Sequence, residues 1–174
     1  TEIKIGQPMP YSGPAAAYGT VGRLESAYFE VINARGGVNG RKINLISLDD
    51  SYSPPKAVEQ TRRLVEQDEV LAIVGQLGTL TSSAAQKYLN VKKVPQILIT
   101  SGAAKWDDPK AYPYSTFLYS PYRLEGQIFA QYLLPNTASA ILGVFSHNDE
   151  ARRDYVTAVR DYNLTLSTFP SLIW

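Results

Sequence analysis

The chain has 174 residues, 44% of them hydrophobic, with 17 basic and 16 acidic side chains for a net charge of +1. This suits one domain, or one and a fraction, with a buried core, and the interspersed charges offer nucleic acid neither a basic stripe nor a basic–aromatic patch. Without cysteine there is no disulfide framework, thiolate nucleophile or cysteine metal site, and no apolar run approaches the ~18–20 residues that span a bilayer. Absent cysteine fits the cytosol and a bacterial periplasm alike. The chain starts directly on a strand, "TEIKIGQ", as a secreted protein does after its leader is removed and as a cytosolic protein also does.

In chain order, Ile3–Gln7 reads as a first strand. From Tyr18 to Ala34, Val21, Leu24, Tyr28, Val31 and Ile32 recur at helical spacing. "ARGGVNGRK" stops that helix, with Gly36 and Gly37 suited to left-handed geometry. Lys42–Asp49 is a second strand. Ser53 is an N-cap and Pro54–Pro55 fit the first turn of a second helix, which places Ala57, Thr61, Leu64 and Val65 on one face. Leu71–Val74 is strand three, Thr81–Lys92 helix three and Gln96–Thr100 strand four. The pattern breaks in "KWDDPKAYP". It resumes with a strand at Tyr114–Leu118, a helix at Pro121–Leu134, a strand at Ala140–Phe145 and a helix at Glu150–Tyr162. Alternating strands and helices with near-continuous apolar strands imply a doubly wound α/β layer, a parallel sheet covered on both faces. The expected strand order is 2-1-3-4-5 for residues 1–118, with residues 119–174 forming a crossover, in "FLYSPYR", and the start of a second, similar lobe. No internal repeat is evident.

In open parallel sheets, ligands sit beyond the carboxyl ends of the strands. The loops there are "PMPYSGPAAAYG", "DDSYSPP", "QLGTL" and "SGAAKW". Their small residues let backbone approach a ligand, and N–H groups at helix N-termini favour an anion such as a carboxylate. Thr79, Thr81 and Ser101 would add hydroxyls, and Tyr11 and Tyr18 aromatic walls. Read singly, each is also an ordinary turn or capping residue; the pattern across three loops is what points to a site.

Enzyme readings fare poorly. After strand one a dinucleotide fold needs G-x-G-x-x-G, whereas this chain has "GQPMPY". Asp49 and Asp50 stand where a ribose-binding acid would sit but, without that fingerprint, read as loop residues. There is no phosphate loop and no G-x-S-x-G elbow. The sole histidine, His147, has no partner visible in sequence, so a transition-metal site is not expected. Asn163-Leu164-Thr165 matches a glycosylation sequon, a frequent chance match. No cofactor and no catalytic residue is assigned.

Three stretches carry a family resemblance: "IKIGQPMPYSGPAAAYGTVG", "NARGGVNGRKINLISLDDSYSPPKAVEQTRRLVEQDEVLAIVGQLGT" and "VPQILITSGA". They resemble the amino-terminal lobe of the type I periplasmic binding proteins, in the leucine/isoleucine/valine-binding group that serves ABC importers. The resemblance is dense over residues 3–104 and legible to about 161. It implies a clamshell fold with ligand between two lobes and capture without chemistry. It puts Thr79 in a carboxylate-holding turn as hydroxyl and N–H donor, with Leu77, Gly78 and Ser101 as neighbours. Gly102 falls where a backbone carbonyl receives an ammonium. Ala104 falls where amino-acid binders carry threonine, so a hydroxyl is missing while the N–H remains. Tyr18 matches an aromatic position of the cleft. All of these are expected to line one shallow, solvent-accessible cleft.

Two departures stand out. The second lobe usually offers an aromatic followed by glycine, where this chain has "HNDEARRDY" with Ala151 and Arg152. Family members are also about twice as long, and the tail "NLTLSTFPSLIW" does not match the family's continuation. The expectation is therefore a truncated or incomplete product that binds weakly and self-associates through uncovered apolar surface. The implied ligand is a small carboxylate, either a branched-chain amino acid or an aromatic or organic acid. The implied partner is an ABC permease, and the implied location is the periplasm or another extracytoplasmic, lipid-anchored setting. A sensory or regulatory domain of the same fold is the alternative, which a fused signalling domain would reveal.

Overall fold

In a computed structural model of the chain, residues 2–136, 152–158 and 160 are described. Five strands form one parallel sheet: β1 (Glu2–Met9), β2 (Lys42–Asp49), β3 (Ile73–Val74), β4 (Gln96–Ile99) and β5 (Ser115–Phe117). Their order is β2-β1-β3-β4-β5, as expected, with β1 inside the sheet. β1 and β2 pair without a break from Glu2↔Lys42 to Met9↔Asp49. β3 is shorter than Leu71–Val74. Toward β3, the Lys4 carbonyl accepts from Leu71 N–H and Gly6 N–H donates to the Ala72 carbonyl. Pro8 comes next in that series and has no N–H, so the ladder stops after the Gly6↔Ile73 pair.

Three helices, α1 (Gly19–Ala34), α2 (Pro54–Glu66) and α3 (Thr79–Lys92), join the strands, and α4 (Tyr122–Asn136) follows β5. α2 starts as expected: Ser53 is extended (φ −105°, ψ 118°) and prolines occupy the first two helical positions. Its Ala57, Thr61 and Leu64 are buried. Leu64, Val70, Ile73, Ala85 and Leu89 form the core cluster that α2 and α3 close over the sheet. α3 begins at Thr79, two residues earlier than the sequence suggests.

α1 turns a different face inward from the one its apolar spacing marks. Its buried residues are Gly19 and Gly22, whereas Leu24 and Tyr28 are 69% and 61% exposed. The glycines let the helix approach the end of β1 closely. A Cβ on Gly22 would overlap Tyr11 Oη and lie 2.9 Å from Met9 Cγ. Beneath the helix, Gln7 Nε2 donates to Glu25 while Ser47 Oγ donates to Gln7 Oε1 at 2.9 Å.

The contacts divide the chain into two units, one of Thr1–Ser101 with Trp106–Leu118, the other of Gly102–Lys105 with Tyr119–Trp174. The second contains α4 and a helical segment at residues 152–158, with Tyr155 stacked on Tyr122 at 5.6 Å between ring centroids. The expected strand Ala140–Phe145, His147, Ala151 and the sequon at Asn163 lie outside the described residues. Among the described residues, no helix is long and apolar enough to cross a membrane.

Candidate functional site

The carboxyl end of the first unit's sheet is built from three loops. After β3 the chain turns through Gly75 (φ 65°) and Gly78 (φ 105°), backbone that favours glycine. The turn is tied to the end of β4: Thr100 N–H donates to the Gln76 carbonyl at 2.9 Å and Gly78 N–H to the Thr100 carbonyl at 3.3 Å. Gly78 is the N-cap of α3 and brings no side-chain cap. The N–H groups of the first turn form the positive end of the helix dipole, and no carboxylate or hydroxyl among the described residues caps them.

Behind that turn is a chain of hydroxyls. Thr79 Oγ1 and Ser101 Oγ are 2.7 Å apart, and Trp106 Nε1 donates to Ser101 Oγ at 2.8 Å. Thr81 Oγ1 donates back to the Leu77 carbonyl at 2.7 Å. Leu77, Thr79 and Ser101 are 5%, 1% and 2% exposed and Gly78 is buried as well, so the hydroxyls brace the turn from within, and these residues, backbone included, are covered instead of lining the solvent-accessible cleft expected from the sequence.

The loops after β1 and β2 meet at Asp49. Its carboxylate accepts from the backbone N–H groups of Tyr11, Ser12 and Ser51 at 2.9–3.0 Å and from Lys56 Nζ at 2.9 Å. Partial burial pushes its pKa up, but the hydrogen bonds from Ser12, Lys56 and Ser51 outweigh that and hold it well below the usual range. Asp50, beside it, is fully buried. Burial raises its pKa to about 6; the Tyr52 N–H opposes the rise, the Asp49 charge adds to it and Lys56 opposes it. Asp50 Oδ1 accepts the Tyr52 N–H at 2.8 Å, and Oδ2 has no hydrogen-bond partner among the described residues.

Of the residues marked in the sequence, Leu77, Gly78, Thr79 and Ser101 come together in this unit, with Leu77 bridged to Thr100. Tyr18 ends a short 3₁₀ turn, Ala16–Tyr18, on the loop after β1, with its ring half exposed. Gly102 and Ala104 fall in the second unit. There the Gly102 carbonyl accepts the Tyr122 N–H at 2.7 Å, and the Ala104 N–H donates to Asp154 Oδ2 at 3.0 Å. Sequence reasoning missed Tyr52, whose ring lies against Gly78, and the buried state of Asp50. The available signal was two adjacent aspartates at a strand end followed by short polar residues, the composition of an Asx turn. Among the described residues, no three His, Asp or Glu side chains gather to hold a metal ion.

Comparison with known proteins agrees with this architecture. A family model described as "Periplasmic binding protein" matches residues 2–163. An amino acid binding protein of Pseudomonas aeruginosa is 36% identical over 103 residues, 59% of this chain and 27% of that protein. The Leu/Ile/Val-binding protein of Escherichia coli is 26% identical over 164 residues, 92% of this chain and 43% of its own. The substrate-binding protein of a branched-chain amino acid transporter from Streptococcus pneumoniae, solved with isoleucine, matches at a TM-score of 0.82 and 27% identity, over 93% of this chain and 47% of its own. The chain thus matches less than half the length of these relatives. A match along nearly all of this chain, on a sheet ordered β2-β1-β3-β4-β5, shows that it belongs to the periplasmic binding protein family.

Proposed function

We propose that this chain carries a ligand-binding lobe of an extracytoplasmic solute-binding protein that captures a small carboxylate for an ABC importer. The observation that carries the reading is the Gly78–Thr79 turn: a helix N-terminus at the carboxyl end of a parallel sheet, with no side-chain cap and with buried hydroxyls behind it. Such an end binds a carboxylate through backbone N–H groups. Leu77 and Tyr18 would supply apolar and aromatic neighbours. For Gly102 and Ala104 a ligand role rests on the family resemblance alone. The names of the relatives favour a branched-chain amino acid. The alanine at 104 and the tyrosines of the loops favour an aromatic or other organic acid equally well, and the shared chemistry is the carboxylate.

The test is an NMR titration of the ¹⁵N-labelled chain with L-isoleucine and with benzoate, which also registers millimolar binding. The expected result is amide shifts concentrated at Gly78–Leu80 for either ligand. Thr79→Val removes the neutral hydroxyl pair with Ser101 that braces the turn and is expected to weaken binding by up to about tenfold, the size of one neutral hydrogen bond. Shifts confined to other parts of the chain, or none at all, would refute the reading.

A further inference from the structure

Ser51 and Tyr52 both adopt left-handed backbone, at φ 51° and 57°. Side-chain-bearing residues hold such a conformation only where the surroundings over-determine it, and clusters of that kind point to function. Here the surroundings do so from three sides. Asp50 Oδ1 holds the Tyr52 N–H, Asp49 Oδ1 holds the Ser51 N–H, and Ser12 Oγ lies 2.7 Å from Ser51 Oγ. The loop after β1 sits so closely on Ser51 that a Cβ on Gly13 would overlap the Ser51 carbonyl oxygen.

What this bracing delivers is the Tyr52 ring. It lies over Gly78, where a Cβ would overlap Cε2 and lie 3.1 Å from Cζ. A Cβ there would also lie 2.9 Å from Thr81 Oγ1. The aromatic ring and the hydroxyl of the following helix thus both crowd the side of Gly78 that a side chain would occupy. Glycine at 78 answers both the positive φ and the ring.

We propose that Tyr52 is a positioning residue for the Gly78–Thr79 turn, its ring pressing on Gly78 so that the first N–H groups of α3 keep the geometry that receives a carboxylate. This rests on the reading of that turn as the carboxylate cradle. Asp50 acts one step further back, by holding the Tyr52 N–H. The hydrogen bonds with Asp49, Asp50 and Ser12 offset the cost of placing two residues in left-handed backbone.

The experiment compares Tyr52→Ala, Tyr52→Leu and Tyr52→Phe in the full chain by NMR, with L-isoleucine and benzoate as probes. In the unsubstituted protein the ring current shifts the Gly78 Hα resonances; that shift is expected to vanish in the alanine and leucine variants and to persist in phenylalanine. Dissociation constants for both probes are expected to rise by the same factor in the alanine variant, about tenfold, and to recover to within about threefold with phenylalanine. The equal factor matters, because a side chain that merely walled the ligand would discriminate between an aliphatic and an aromatic body. Should the alanine variant fail to fold, the leucine variant, which keeps the bulk and loses the ring, reads the same two quantities. Unchanged affinities and Gly78 resonances in the folded variants would overturn the proposal and leave the cradle standing. A factor that differs strongly between the probes would make Tyr52 a ligand wall instead. Binding of neither probe by the unsubstituted chain would overturn cradle and positioning together.

Discussion

Asp49 and Asp50 are neighbours in sequence and opposites in energetics. Asp49 is charged, saturated with donors and partly solvated, so its contribution to stability is present above its unfolded pKa and is lost as the pH falls below it. Asp50 is buried with one oxygen unpartnered among the described residues, and its pKa rises from 3.8 to about 6. Between those values the folded state holds more protons than the unfolded state, so Asp50 makes the protein less stable as pH rises through that window and leaves it so above pH 6. Asp50→Asn keeps an acceptor for the Tyr52 N–H and sheds the charge. It is expected to raise stability at pH 7.5 on the order of 1–2 kcal/mol, less than the whole shift would give because the amide nitrogen in place of Oδ2 is itself a buried donor without an acceptor, and to give no such gain at pH 4. Urea unfolding at the two pH values measures this; an equal difference at both would show that the charge is not the cause.

Among the elements, α1 shows most clearly how a helix can be read correctly and oriented wrongly. Its apolar spacing is real, but the side that approaches β1 is the one with glycines, because close approach to Met9 and Tyr11 leaves no room for side chains. Gly22→Ala gains about 1 kcal/mol of helix propensity but places a methyl group against Tyr11, Met9 and Gln7. The expected net effect is a loss of about 1–2 kcal/mol, since overpacking a close interface costs more than propensity returns. Leu24→Ser, on the exposed side, is expected to stay within about 0.5 kcal/mol. Chemical denaturation of the two variants decides between these faces, and the reverse ranking would place Leu24 inside. α3 poses the complementary case. Its start at Thr79 was not visible because Thr79 and Leu80 read as loop residues; the tertiary ties of Gly78 and Thr100 draw them into the helix.

At the scale of the whole chain, an apolar cluster among the described residues holds α2 and α3 to the first unit's sheet: Leu64 from α2, Ala85 and Leu89 from α3, Ile73 from β3, and Val70. Leu64 and Leu89 are fully buried, so Leu64→Ala should cost about 2–5 kcal/mol, the range for deleting a buried aliphatic side chain in a packed core. Thermal or urea unfolding followed by circular dichroism measures the loss; a cost below about 1 kcal/mol would mean that the site collapses around the deletion. The same cluster places the candidate site, because it fixes α3 against the sheet and so aims the Gly78–Thr79 turn from the carboxyl edge.

Much of this was legible beforehand because it depends on local pattern. Near-continuous apolar strands alternating with amphipathic helices dictate a parallel sheet with right-handed crossovers, and the family's motifs order its strands. The turn at Gly75–Thr79 was legible for the same reason, as glycines and hydroxyls at the end of an apolar strand have few alternatives. Tertiary structure alone decided the rest. Whether Asp50 is a solvated loop acid or a buried one depends on what lies over it. That Tyr52 meets Gly78 depends on two loops separated by a whole crossover arriving at one edge. Which face α1 buries depends on how closely its glycines let it approach β1. Spacing along a chain reports periodicity, while the surroundings of each face are set by residues distant in sequence, through packing that no single segment contains.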